Sequence, residues 1–211
     1  MKRLAVVLLA ALSLACRASA ANSGAPVVQP GAPGSPSKVI TADQVNALAP
    51  PRFTAADAQF MQGMIGHHAQ ALEMTSLLST RSIDPDMKKM AHRIELSQAD
   101  EIKMMKEWLQ ARRQPLPDEH AHHGDGAKLM PGMLTADEMK RLAAATGAEF
   151  DRLFLDYMIK HHLGALTMVK GLFATPGAGQ ESDIFAFASD VDADQRMEID
   201  RMGAMLKERQ K

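Results

Sequence analysis

The chain has 211 residues, enough for one domain with a sizeable core, and 46% hydrophobic against 23% charged residues describes globular material, not a disordered chain. With 24 basic and 25 acidic residues the formal net charge is −1, which argues against the basic face of a nucleic-acid binder. A single Cys leaves no intramolecular disulfide and no thiolate zinc site. There are 16 Met and 8 His but only 7 Phe, 1 Trp and 1 Tyr, so thioethers replace rings as core material or serve as soft metal ligands.

Lys2 and Arg3 precede an apolar run from Leu4 to Ala15, too short to span a bilayer as a helix, so residues 1–20 read as an export signal. Ala18-Ser19-Ala20 offers cleavage near Ala21, whereas Leu12-Ser13-Leu14-Ala15-Cys16 resembles a bacterial lipoprotein signal with Cys16 as the lipidated residue. The Pro/Gly/Ser-rich stretch of residues 21–52 favours a tether and has no composition for a core. Either route takes the protein out of the cytoplasm, to the periplasm, a membrane tether or the medium. Removing residues 1–20 takes Lys2, Arg3 and Arg17, which leaves 21 basic against 25 acidic residues and a charge of −4.

Thr41 with Gln44 predicts a short capped helix, ended by Pro50-Pro51. Residues 53–211 form the folded domain. Thr54 caps a first long helix from about Ala55 to Thr80, and Asp84-Pro85 caps a second that runs to about Arg113. A polar crossover follows, with capping boxes at Thr135/Glu138 and Thr146/Glu149 that start a short helix and a third long one to about Ala174. Pro176, Gly177 and Gly179 precede the last helix, roughly Glu181 to Arg209. The expected fold is all-α: a four-helix bundle built from two similar helical hairpins, with a short extra helix in the middle crossover.

The hairpins repeat one another. Asp57, Phe60, Met64, Ile65, His67, His68, Ala71, Leu72 and Met74 recur 94 positions later as Asp151, Phe154, Met158, Ile159, His161, His162, Ala165, Leu166 and Met168. Gln98, Glu101, Ile102, Met105 and Leu109 recur 97 positions later as Gln195, Glu198, Ile199, Met202 and Leu206. Phe60, Met64, His67, Ala71, Met74 and Leu78 are spaced four, three, four, three, four, the seam of a bundle interior. His67 and His161 are therefore expected at equivalent depths, each beside a carboxylate, with His68 and His162 at the seam's edge.

Burying such groups is costly unless they are paired or ligate a cation. One reading is reciprocal His–Glu hydrogen bonding in a purely structural or interaction bundle. The other is a metal cluster of His67, His68, His161, His162, Met64, Met74, Met158, Met168, Glu101, Met105, Glu198 and Met202, whose imidazole and thioether donors suit copper as Cu(I) or Cu(II). The loop residues His120, His122, His123, Met130 and Met133 form a second, weaker candidate. A bundle-metal oxidoreductase fits poorly, because paired Glu-x-x-His motifs on long helices are missing. Nothing resembles a nucleophile elbow or another catalytic constellation, so no enzyme is expected.

The paired Met-Ile-x-His-His motifs, with Gln98/Glu101, Met130-Pro131-Gly132-Met133 and Trp108-Leu109, resemble the domain-of-unknown-function 305 (DUF305) family over about Thr54 to Lys207. The resemblance implies a ferritin-like four-helix bundle exported from the cytoplasm, and its CopM-like members are copper-binding proteins associated with copper tolerance. Metal ions are then the expected partners, membrane association rests on Cys16 alone, and self-association stays open. If Cys16 is lipidated, Cys16→Ala moves the protein from the membrane fraction to the soluble periplasm on cell fractionation. Cleavage after Ala20 instead predicts a soluble protein before any substitution.

Overall fold

The computed structural model describes residues 27–29, 36–46, 52–117 and 129–209. The chain divides into two compact units, Met1–Ala49 and Pro50–Lys211. In the first, β1 (Val27–Gln29) pairs antiparallel with β2 (Lys38–Ile40), Val28 opposite Val39, and α1 (Ala42–Asn46) follows. The helix start is closed as expected: the Thr41 N–H donates to Gln44 Oε1 at 2.8 Å. The strands were not legible in a Pro/Gly-rich stretch, because their pairing is backbone alone and Val28 and Val39 are both exposed.

In the second unit, α2 (Ala55–Ser76) opens on a capping box in which the Thr54 N–H donates to Asp57 Oδ2 at 2.6 Å. Asp57 is fully buried, and its other oxygen accepts from the Gly179 N–H at 2.7 Å, tying a distant connection to the start of this helix. The helix breaks at Leu77 and resumes as α3 (Leu78–Arg81), so the first long helix is shorter than its sequence pattern predicts. Next come α4 (Pro85–Ala111), α5 (Ala136–Ala144), α6 (Gly147–Ala174) and α7 (Ser182–Glu208). The Thr135/Glu138 box forms, but the expected Thr146/Glu149 box does not. Gly147 enters α6 in the left-handed region at φ 59°, the Thr146 side chain makes no cap hydrogen bond, and Glu149 stays exposed.

Helix α2 pairs with α4 and α6 with α7, and the two hairpins meet chiefly through α2 and α6. This is the expected four-helix bundle with α5 in the crossover. Its core has two apolar clusters that are images of each other. Met158, Ile94 and Met202 in one correspond, by the repeat offsets, to Met64, Val191 and Met105 in the other. The hairpins are also clasped reciprocally. Arg112 donates to Glu181 Oε1 at 2.5 Å and to Asp183 Oδ2 at 2.8 Å, its guanidinium lying over Trp108. At the other end Arg209 donates to Asp84, the N-cap of α4. Both pairs obey the 97-residue offset.

The crossover docks on the bundle by backbone contact. A Cβ on Gly164 would lie 2.0 Å from the Pro131 carbonyl oxygen, and one on Gly132 would lie 2.5 Å from that of Lys160. Gln70 locks the same turn, donating to the Leu134 carbonyl at 3.0 Å and accepting from its N–H at 2.7 Å. Gly164→Ala must therefore lever the turn off α6 and is expected to cost about 1–3 kcal/mol or more. Gly171→Ala, in the same helix with open space around it, is expected to stabilise by about 0.5–1 kcal/mol. Urea denaturation of the two variants reads the contrast.

Candidate metal centre

Between the two apolar clusters lies one polar layer. His67, His68, His161 and His162 are all fully buried. The His67 and His161 rings face each other across the hairpin interface, centroids 3.8 Å apart and tilted by 38°. His67 Nε2 donates to the Pro131 carbonyl at 3.0 Å, so the crossover turn caps this pair. His68 Nε2 donates to Glu101 Oε2 at 2.5 Å and His162 Nε2 to Glu198 Oε2 at 2.6 Å. The symmetry is close: each His-His ring pair is separated by 6.3 Å, with tilts of 55° and 56°.

Two expectations change here. The carboxylates take His68 and His162, not His67 and His161, and the supposed edge residues are as deep as the seam residues. Glu101 on α4 and Glu198 on α7 face the second imidazole of each pair, not the first. Both keep a slight exposure and reach inward to the imidazole nearer to them. Asp194 stands beside them. Burial and the charges of Glu101, Glu198 and Asp190 raise its carboxyl above the ordinary value, with Arg93 opposing. A groove of about 450 Å³ opens here, lined by Arg93, Ser97, Asp194, Met197, Glu198 and Arg201 among others. The glutamate side of the polar layer thus borders a groove of mixed charge, and its His67 side meets the crossover turn.

The layer contains polar atoms with nothing to bind. Nδ1 of His68, Nδ1 of His162 and both ring nitrogens of His161 are buried without a hydrogen-bond partner, as are Gln98 Nε2 and Oε1 and Gln195 Oε1. Burial holds His161 well below its ordinary value, reinforced by His67, His162 and His68, and the nearby His67 backbone offsets this only in part. Met64, Met74, Met105, Met158 and Met202 are fully buried around the layer, while Met168 is half-buried. Met133 is a core residue at 5% exposure, so the loop's Met pair is split between core and surface. Met130 is half-buried. His120, His122 and His123 lie outside the described residues, as does Cys16. His92 is a surface residue facing Glu95 at 3.7 Å.

Among the described residues, no three His, Cys, Asp or Glu side chains stand close enough together to hold an ion. A metal held by this layer would therefore draw on thioether or amide donors as well, or on a rotated imidazole. The donor chemistry fits a soft ion: imidazole nitrogens with free lone pairs, ringed by neutral sulfur. Sequence reasoning placed these side chains but missed Asp194 and the Pro131 carbonyl. Asp194 has Ser97 as its counterpart in the repeat, so no duplication signal marked it.

A helical bundle built from duplicated hairpins about a buried histidine layer is the class this geometry defines. The sequence profile described as Domain of unknown function (DUF305) matches residues 57–206, and the chain belongs to that family. A DUF305 protein of Streptomyces coelicolor, assigned as secreted, is 32% identical with a TM-score of 0.63, over 73% of this chain and 93% of that one. A DUF305 fragment from Deinococcus radiodurans is 30% identical with a TM-score of 0.64, over 75% and 99%. CopM in its Cu(II)-bound form is 29% identical with a TM-score of 0.58, over 72% and 96%, and CopM is also known in Cu(I)-bound and Ag-bound forms. A protein of Acanthamoeba polyphaga mimivirus is 39% identical over 57 residues, which are 27% of this chain and 38% of that protein.

The depressed proton affinity of His161 has a pH consequence. The folded state refuses a proton that the unfolded chain accepts below about pH 6.5, so stability is complete above that pH and falls beneath it. Measured metal-free by urea denaturation, His161→Phe is expected to lose less stability than the wild type between about pH 7.5 and 5.5. Equal losses in the two proteins would place the proton uptake elsewhere.

Proposed function

We propose that this chain is an exported metal-binding protein that takes up copper through imidazole and thioether donors and sequesters it or hands it on. The observation that carries the reading is the state of His68 and His162. In each, Nε2–H is held by a glutamate carboxylate, while Nδ1 is buried with no partner. A carboxylate on one ring nitrogen fixes the tautomer and leaves the other nitrogen as a lone-pair donor, which is how metal-ligating histidines are oriented. Binding of copper or silver by CopM supports the choice of a soft cation. Export is supported by the signal-like N-terminus and the secreted assignment of the Streptomyces relative. Among the described residues no helix is long and apolar enough to cross a membrane.

Acid should release the ion, since imidazole must be deprotonated to ligate. Competition against a chromogenic Cu(I) chelator tests the reading. Replacing Glu101 and Glu198 by Gln is expected to weaken Cu(I) binding about 10–100-fold, because the orienting carboxylates are lost. Replacing His120, His122 and His123 by Ala is expected to change it little. A wild-type protein that retains no copper overturns the proposal and favours the purely structural bundle. Loss of binding in the loop variant alone would move the metal to the crossover.

A further inference from the structure

The duplication is broken on the face where α2 and α6 meet. Met74 is fully buried in the cluster that includes Leu134 and Leu142, whereas its repeat equivalent Met168 is half-buried. Position 63 is Gly where its equivalent, 94 residues on, is Tyr157. Tyr157 fills its own site by packing against the first cluster, so Gly63 leaves a notch where the other hairpin has a ring. Two thioether side chains converge on that notch. Met130 Sδ lies 3.2 Å, and Met168 Cε 3.4 Å, from the point where a Cβ on Gly63 would stand.

Met130 is also held in place. It opens the turn that is fixed by Pro131 on His67, by Leu134 on Gln70 and by the contact of Gly132 with Gly164. We propose that Met130 and Met168 form a soft-cation site over Gly63 that takes a monovalent thiophilic ion, Ag⁺ or Cu(I). The site rests on the metal-binding reading above but is separate from the imidazole layer, about one turn of α2 from His67. Three features support it. The two side chains are partly exposed, so an ion reaches them without opening the bundle, unlike the sealed Met64 and Met158. The turn positions Met130 beforehand, so little chain entropy is lost on binding. Met168 needs only rotation of its flexible terminal torsions to exchange methyl for sulfur at the notch. Thioethers release no proton on binding, so this site holds its ion at acidic pH, where the histidines let go.

The test uses the full chain with ¹³C-methyl methionine, titrated with Ag⁺, which needs no reductant. The Met130 and Met168 methyl resonances are expected to shift with the first equivalent, at both about pH 7.5 and about pH 5.5. The volume-conserving Met130→Leu/Met168→Leu variant is expected to bind one equivalent fewer, with unchanged circular dichroism. Gly63→Ala, which crowds Met130 Sδ without removing a sulfur, is expected to weaken the same equivalent. Wild-type stoichiometry in the double Leu variant overturns the notch. So do Met64 and Met158 methyl shifts with Met130 and Met168 unmoved, a result that leaves the imidazole reading standing. No response from any Met or His resonance overturns both.

Discussion

Four imidazoles buried at the crossing of two hairpins are the costliest feature of this molecule, and the surrounding structure is arranged to accommodate them. A ring nitrogen buried without a partner is costly in an apolar interior. Two of the four donate one N–H laterally to Glu101 and Glu198, which reach in from the neighbouring helices. A third, His67, is satisfied from outside the helices altogether, by the carbonyl of Pro131. That bond requires the crossover to lie flat on α2 and α6, which in turn requires glycine at 132 and 164, where any side chain would meet backbone. Gln70 with Leu134 and the Gly132–Gly164 backbone contact hold the turn where its Pro131 carbonyl meets His67.

The fourth imidazole, His161, shows what the accommodation leaves undone. It is sealed, faces its twin at 3.8 Å and has no hydrogen bond through either nitrogen. The two hairpins are nearly symmetric, but the single crossover brings its Pro131 carbonyl to His67 alone. Duplicating a hairpin duplicates its polar groups, while the single segment joining the copies serves one of them. The same asymmetry separates Met74 from Met168 and Gly63 from Tyr157.

Much of this was legible in the residues. Polar identities at fixed offsets announced the duplication, and the four-three spacing put His67, Met64 and Met74 inside. What escaped were facts settled by contact between segments distant in the chain. A helical wheel places His68 at the seam's edge, but the packing of the neighbouring helix brings Glu101 to that imidazole and buries it. Thr146 and Glu149 have the spacing of a capping box, yet Gly147 between them is left-handed and the Thr146 side chain makes no cap hydrogen bond. The loop was read as one candidate metal tract, whereas Met133 ends up in the core and Met130 is half-buried at the start of the docked turn. No local pattern reports that Gly164 is a landing place for backbone.

The reciprocal arginine clasps carry a further meaning. Each hairpin presents an acidic cap where its second helix begins and an arginine where that helix ends, and each cap is filled by the other hairpin's arginine. A hairpin of this design is self-complementary: two identical copies, turned about a two-fold axis, would close both clasps and form the same central layer. The fused chain therefore has the contact logic of a homodimer written into a single polypeptide. Fusion added the one thing a symmetric pair cannot have, a connector that differs in what it offers to each half.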